Sequence, residues 1–263
     1  MSRYIQLPLL LLAASLLHAG NENLIRLVFP GLEPKGETLT AGATVPIRSI
    51  SEEGENEYED DFTIEPSPTF QVLSGGKSYT AMLLVTNHNE MGDLLVLAAF
   101  DTSGKEPKLL DAIDVRQDRS CGLSPKSALQ LNKGTTALAL ECYHHNSSQG
   151  YAAYSYIAFL DGKFVPVLQL WLLSSNGGCG GMFNESVEYV RMVPAPAEKF
   201  NRIAVSVKLE KHADEPAMEC GKPVKASSTR YFRTTFRWDA KTNQFQPMTT
   251  GMDGLDAWNK DRY

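Results

Sequence analysis

Few side chains able to do chemistry stand together in this 263-residue chain, which holds five histidines and four cysteines. His144 and His145 are adjacent, followed by Asn146 and flanked by Tyr143 and Tyr151. A histidine acting as general base needs a nucleophile and an orienting acid within hydrogen-bond reach, and the chain contains no G-x-S-x-G elbow. Adjacent residues of a strand point to opposite faces, which separates the two imidazoles and disfavours a shared metal. We read Tyr143, His144, His145, Asn146 and Tyr151 as a polar and aromatic binding surface where a strand runs into a turn, and assign no catalytic residue.

Asn176-Gly177-Gly178-Cys179-Gly180-Gly181 is a glycine-rich loop around a cysteine. A phosphate cradle would have to open a helix, whereas a strand-like segment follows. Four cysteines in an exported chain suggest two disulfides with three connectivities. The preferred pairing is Cys121 with Cys142 and Cys179 with Cys220, each bridge stabilising by ~2–4 kcal/mol through restriction of the unfolded chain. Zinc would need a C-x-x-C or a close Cys/His pair, and none occurs.

Asn87-His88-Asn89-Glu90-Met91-Gly92-Asp93-Leu94 lies between two strand patterns. It resembles the calcium-binding inter-strand loop of integrin-type propeller repeats, D-x-D-x-D-G-x-x-D-L, with Asn87 and Asn89 at the first two donor positions and Gly92 at the turn glycine. Met91 stands where the third donor belongs, and Asp93 comes two residues early. The resemblance implies calcium, held by Asn87, Asn89 and Asp93, as the one cofactor to consider; otherwise none is expected. Asp111, Asp114 and Asp118 sit at a strand end and in the loop after it, where aspartate serves turns.

The elements that position these residues follow from patterning. With 43% hydrophobic and 21% charged residues the chain is globular in composition rather than disordered or fibrous. A net charge of −6 argues against a nucleic-acid binder, which needs a basic footprint. Residues 1–20 read as a signal peptide: Arg3, an apolar run from Leu7 to Leu17, then the small residues Ala19 and Gly20. That run is too short to span a membrane, and no cysteine follows the cleavage site to carry a lipid. A periplasmic or secreted protein is expected, without a membrane span after cleavage.

Residues 21–66 hold eleven acidic and three basic side chains, whereas residues 67–263 are nearly neutral. The run Glu52, Glu53, Glu55, Glu57, Glu59, Asp60 and Asp61 suggests a solvated linker, preceded by one short strand over Leu24–Phe29. From residue 67 onward short β-branched and aromatic runs alternate with Gly, Asn, Asp and Pro. Asp161-Gly162 between two apolar runs is a hairpin turn signal, and Ser74-Gly75-Gly76-Lys77 reads as another tight turn. Phe100–Pro107, Phe159–Pro166 and Phe236–Pro247 repeat the order Phe, Asp, Lys, Pro.

The expected architecture is all-β, with about twelve strands in antiparallel four-stranded meanders, forming a propeller-like repeat or a β-sandwich. The expected layout is a signal peptide over 1–20, a mobile acidic segment over 21–66, a β-rich domain over 67–250 and a C-terminal tail over 251–263. The expected function is a non-enzymatic binding module of the cell envelope, with a protein or glycan partner, which binds or inhibits another exported protein. The alternatives are an envelope hydrolase and a calcium-stabilised structural repeat. If both bridges form, thiol titration of the denatured, unreduced mature protein finds no free cysteine; two free thiols would exclude the Cys179–Cys220 pair.

Overall fold

A computed structural model describes residues 21–36, 38–50, 55–56, 62–65, 68–87, 94–117, 120–146, 149–178, 181–212 and 228–260. The protein is all-β, and its strands form two sheets rather than three groups of four. The described chain divides into two compact units: residues up to Gln117 together with Leu160–Phe164, and the remainder. The single β-rich domain expected over 67–250 is thus divided after Gln117. The expected signal peptide lies outside the described residues.

In the first unit, residues 21–28 form helix α1 where a strand was expected over Leu24–Phe29. The β-rich composition of that stretch misleads. Its buried positions are Leu24, Ile25, Val28 and Phe29, followed by Leu32. Pairs of apolar residues four apart make one helical face. Pro30 and Gly31 (φ 74°) end the helix.

Strands β1 (Glu33–Lys35), β2 (Thr38–Ala41), β3 (Ile47–Ser49), β4 (Glu55–Asn56), β5 (Phe62–Glu65), β6 (Thr69–Ser74), β7 (Lys77–Asn87), β8 (Leu95–Asp101) and β9 (Lys108–Asp114) follow. They pair in the order β1-β2-β5-β7-β8-β9-β3-β4, with β6 also on β7. The segment over 21–66 is therefore no linker where it is described. Ala41, Ile47, Phe62 and Ile64 join the core with α1, Met82, Leu84, Val96, Ala98 and Phe100, and Phe29 meets Phe62 edge-on at 5.6 Å. Total charge hid these spaced apolar residues. Of the acidic run only Glu55 lies within the described residues, on β4.

The turn signals hold. Gly75 and Gly76 (φ 57° and 81°), and Asp161 and Gly162 (φ 51° and 83°), take the paired positive φ values of a type I′ turn. Asp111, expected to serve a turn, instead stands within β9 and is nearly buried. Its Oδ2 accepts from Arg48 at 2.5 Å and from the Phe164 backbone N–H at 2.6 Å. Arg48 also donates to the Phe164 carbonyl at 3.0 Å. Both backbone polar groups of the buried Phe164 are thus satisfied by one ion pair. Asp114 does serve a turn, accepting from the Arg116 N–H at 3.0 Å, and Asp118 lies outside the described residues.

The second unit is an antiparallel meander in chain order: β10 (Ser120–Asn132), β11 (Thr135–Asn146), β12 (Gln149–Leu160), β13 (Lys163–Gly178), β14 (Gly181–Val193), β15 (Arg202–His212), β16 (Ser228–Asp239) and β17 (Gln244–Pro247). Its core includes Leu140, Ile157, Val167, Ile203, Val205, Val207 and Phe236. The three Phe-Asp-Lys-Pro stretches are the β8–β9, β12–β13 and β16–β17 hairpin tips, each entered from a buried phenylalanine. They repeat turn chemistry, not a blade.

The expected C-terminal tail instead folds as helix α2 (Asp253–Lys260). It buries Leu255, sets Trp258 against Phe183 at 5.3 Å, and donates from Asn259 to the buried Glu185 at 3.3 Å.

Replacing Asp111 by Ala should lower stability by about 2–4 kcal/mol, because Arg48 and the Phe164 N–H lose their partner where water cannot fully replace it. Urea denaturation measures this; a loss below about 0.5 kcal/mol would show that solvent already screens the pair.

Candidate functional site

The site is built from β11 outward, within the second unit. β11 pairs with β12 in ten consecutive positions, from Ala137↔Ala158 to Asn146↔Gln149. Side chains directly opposite share a face. One face therefore carries Ala139, Glu141 and Tyr143 against Tyr156, Tyr154 and Ala152; the other carries Cys142 and His144 against Ala153 and Tyr151.

On the second face Cys121 stands opposite Cys142 and is bridged to it with a Cα–Cα distance of 4.0 Å. The expected first disulfide is present; Cys179 and Cys220 lie outside the described residues. The bridge locks β10 to β11, which places Gly122 opposite Glu141 on the first face. A Cβ at Gly122 would meet nothing within 4 Å, so open space lies beside the carboxylate.

Glu141 lines a cavity of about 350 Å³ together with Ala128, Leu129, Tyr154, Tyr156 and the β14 residues 187–190. At Glu188 β14 bulges against β15, between Val187 and Tyr189. An extra residue in one strand re-aims a side chain, as bulges beside functional sites do.

Polar contacts run in a chain. The Tyr143 hydroxyl donates to Glu141 Oε2 at 3.1 Å and lies 3.3 Å from the Tyr154 hydroxyl. A phenol has one proton, so Tyr154 is the donor in that second contact. The chain ends on the Glu141 carboxylate, with which no lysine or arginine forms an ion pair among the described residues. Glu188 Oε2 accepts from Ser206 at 2.6 Å and lies 3.8 Å from Arg233.

Burial and the negative charge of Glu141 favour the protonated phenols of Tyr143 and Tyr156. Burial pushes Tyr156 up to about 12, aided by Glu141 and Tyr154. Tyr143 is also raised well above the ordinary phenol value, first by loss of water around its hydroxyl, then by Tyr154 and Glu141. Tyr143 is nevertheless 43% exposed. A phenol held in this state donates hydrogen bonds and does not serve as a phenolate nucleophile.

Of the expected binding residues, Tyr143 belongs to this site. His145 shares its face by register but stands opposite Gly150, further along the pair. His144 and Tyr151 form a cross-strand pair on the opposite face, ring centroids 6.3 Å apart. Asn146 ends the strand pair. The sequence reading missed Glu141, Tyr154, Tyr156 and Glu188. The period-two spacing of Glu141 with Tyr143 and of Tyr154 with Tyr156 was available as a signal. Their meeting was not.

In the expected calcium loop, Asn87 is the last residue of β7 and pairs with Thr63, while Asn89 and Asp93 lie outside the described residues. Among the described residues no three His, Cys, Asp or Glu side chains cluster as metal ligands.

Alkaline difference absorbance tests the electrostatics. Glu141→Gln should lower the titration midpoints of Tyr143 and Tyr156 without returning them to 10, because burial remains the larger cause. A phenol pKa raised in the native state contributes stability that is complete below about pH 10 and lost as pH climbs through the folded value. Native stability should therefore fall between about pH 10 and 12, and Tyr156→Phe should flatten that fall. Comparison with protein families, with characterised proteins and with solved structures finds no match for the chain, which leaves this geometry to carry the functional argument.

Proposed function

We propose that the protein is an exported interaction module, and that the cavity between β10–β12 and β14 receives a positively charged group, a lysine or arginine side chain of a partner protein. The observation that carries this reading is the Glu141 carboxylate. It accepts from the Tyr143 phenol, which in turn accepts from Tyr154; among the described residues no lysine or arginine pairs with it, and it lines a cavity with Tyr154 and Tyr156. A carboxylate with no paired cation, surrounded by tyrosine ring faces, attracts a cation by charge and by ring quadrupole together. Aromatic residues that keep one polar end also suit interfaces, since they bury large area at small entropic cost.

Export is supported by the leader-like sequence of residues 1–20 and by the Cys121–Cys142 bridge, which persists in oxidising compartments. No described helix is long and apolar enough to cross a membrane.

Hydrolysis is the second reading, because Glu141 and Glu188 line the same cavity and two carboxylates flanking a bond are the apparatus of glycoside cleavage.

Titration with the tripeptides Gly-Lys-Gly and Gly-Arg-Gly, with Gly-Gln-Gly as the neutral control, separates the two. Binding should shift the aromatic resonances of Tyr143, Tyr154 and Tyr156 for the cationic peptides alone, and Glu141→Gln should weaken it about fivefold to tenfold. Equal response to Gly-Gln-Gly would overturn the cationic reading. Turnover of an envelope glycan that disappears in both Glu141→Gln and Glu188→Gln would replace it with the hydrolase.

A further inference from the structure

A different surface of the second unit carries the opposite charge. On β14, β15 and β16 one face is core: Ile203, Val205, Val207 and Leu209 are buried, with Phe236 opposite Ile203. The other face carries Tyr189 and Arg191 on β14, then Arg202, Ala204, Ser206 and Lys208 on β15, then Tyr231, Arg233, Thr235 and Arg237 on β16. Register aligns Tyr189, Ser206 and Arg233 in one row, and Arg191, Ala204 and Thr235 in the next. Five cations share this face with Glu188, Glu210 and Asp239; Arg202 meets Glu198 at 2.6 Å, Lys208 meets Glu210 at 2.5 Å and Arg233 lies 3.8 Å from Glu188, which leaves Arg191 and Arg237 without an ion pair among the described residues.

Two of the arginines are pre-organised. The Arg191 guanidinium lies over the Tyr189 ring at 5.0 Å, and that of Arg233 over the Tyr231 ring at 4.9 Å. Stacking fixes the plane of a guanidinium and leaves its N–H edge for an oxyanion, at less entropic cost than a free side chain. The small Ala204 and Ser206 between the two pairs let Arg233 lie across β15, where its Nε donates to Ser206 at 3.3 Å. Strands are spaced ~4.8 Å apart, which puts the β14 and β16 arginines ~10 Å from each other.

We propose that this face binds an acidic polysaccharide, whose carboxylate or sulfate groups meet Arg191, Arg233 and Arg237 and whose hydroxyls meet Thr235 and Gln246, the residue paired with Arg237. The face adjoins the tyrosine cavity, whose lining includes Glu188 and Tyr189, but the proposal does not depend on the reading of that cavity. The tyrosine rings are occupied by their own arginines, so the face offers little of the free stacking platform that single-stranded nucleic acid uses. A surface built from long side chains lying across small ones also lacks the alternate pockets by which an added peptide strand is recognised. Hydroxyls spread among spaced cations suit a hydroxyl-rich polyanion.

The test is affinity electrophoresis of the full chain in gels carrying polygalacturonate, dextran sulfate, neutral dextran or poly-glutamate. Retardation by the two acidic polysaccharides and not by neutral dextran is expected, weakening steeply as salt is raised toward about 0.5 M. The double variant R191Q/R237Q, on exposed side chains, should keep its melting temperature and bind about tenfold more weakly. The control variant K77Q/K105Q in the first unit should bind as the parent does. Absence of retardation at low salt, or equal retardation of R191Q/R237Q, would overturn the proposal. Stronger retardation by poly-glutamate than by either polysaccharide would overturn it in favour of an acidic protein partner.

Discussion

The register of β11 on β12 is the constraint from which the candidate site follows. Strand side chains alternate, so a slip by one residue would send Glu141, Tyr143, Tyr154 and Tyr156 to the other face. Two devices hold the strand pairs on either side of it. The β12–β13 turn at Asp161-Gly162 fixes where β12 ends, and the bridge between the directly opposed Cys121 and Cys142 pins β10 to β11. The same bridge sets Gly122 opposite Glu141.

Local irregularity then converts a regular sheet into a site. Glu188 stands in the bulge between Val187 and Tyr189 and lines the cavity. At this residue the two electrostatic regions of the second unit meet. Glu188 lines the cavity, and it also holds Ser206 and approaches Arg233 on the basic face. A carboxylate already engaged with a guanidinium adds little net charge to the cavity, which leaves Glu141 as its main negative group. That division assigns cation preference to one surface and anion preference to the other, with opposite signs of salt and substitution effects.

Two carboxylates outside the site are held by neighbours distant in sequence. In the first unit Arg48 and Asp111 satisfy each other together with both backbone groups of Phe164. In the second, Glu185 accepts from the Leu173 N–H at 2.8 Å and from Asn259 of α2. Neither arrangement lies in a local sequence pattern. Asp111 and Arg48 are 63 residues apart and Glu185 and Asn259 are 74 apart, so only folding decides that these carboxylates serve neighbours rather than turns or solvent.

Local rules were legible in the sequence wherever they act over a few residues. All twelve strands expected after residue 67 are present, because period-two burial and turn residues carry that information within each segment. Both type I′ turns were readable from Gly75-Gly76 and Asp161-Gly162, since positive φ restricts the residue type. The Cys121–Cys142 pairing was readable from the strand between them. The acidic stretch and α1 were misread, because charge totals and β-branched content conceal spacing, and spacing is what burial responds to. The meeting of Glu141, Tyr143, Tyr154 and Tyr156, the emergence of Glu188 at a bulge, and the gathering of arginines from β14, β15 and β16 were decided by tertiary structure alone. Each depends on which strand lies beside which and in what register. A hydrogen-bonded ladder accepts many sequences equally well, and register is chosen by the burial of whole faces rather than by the residues that come to form the site.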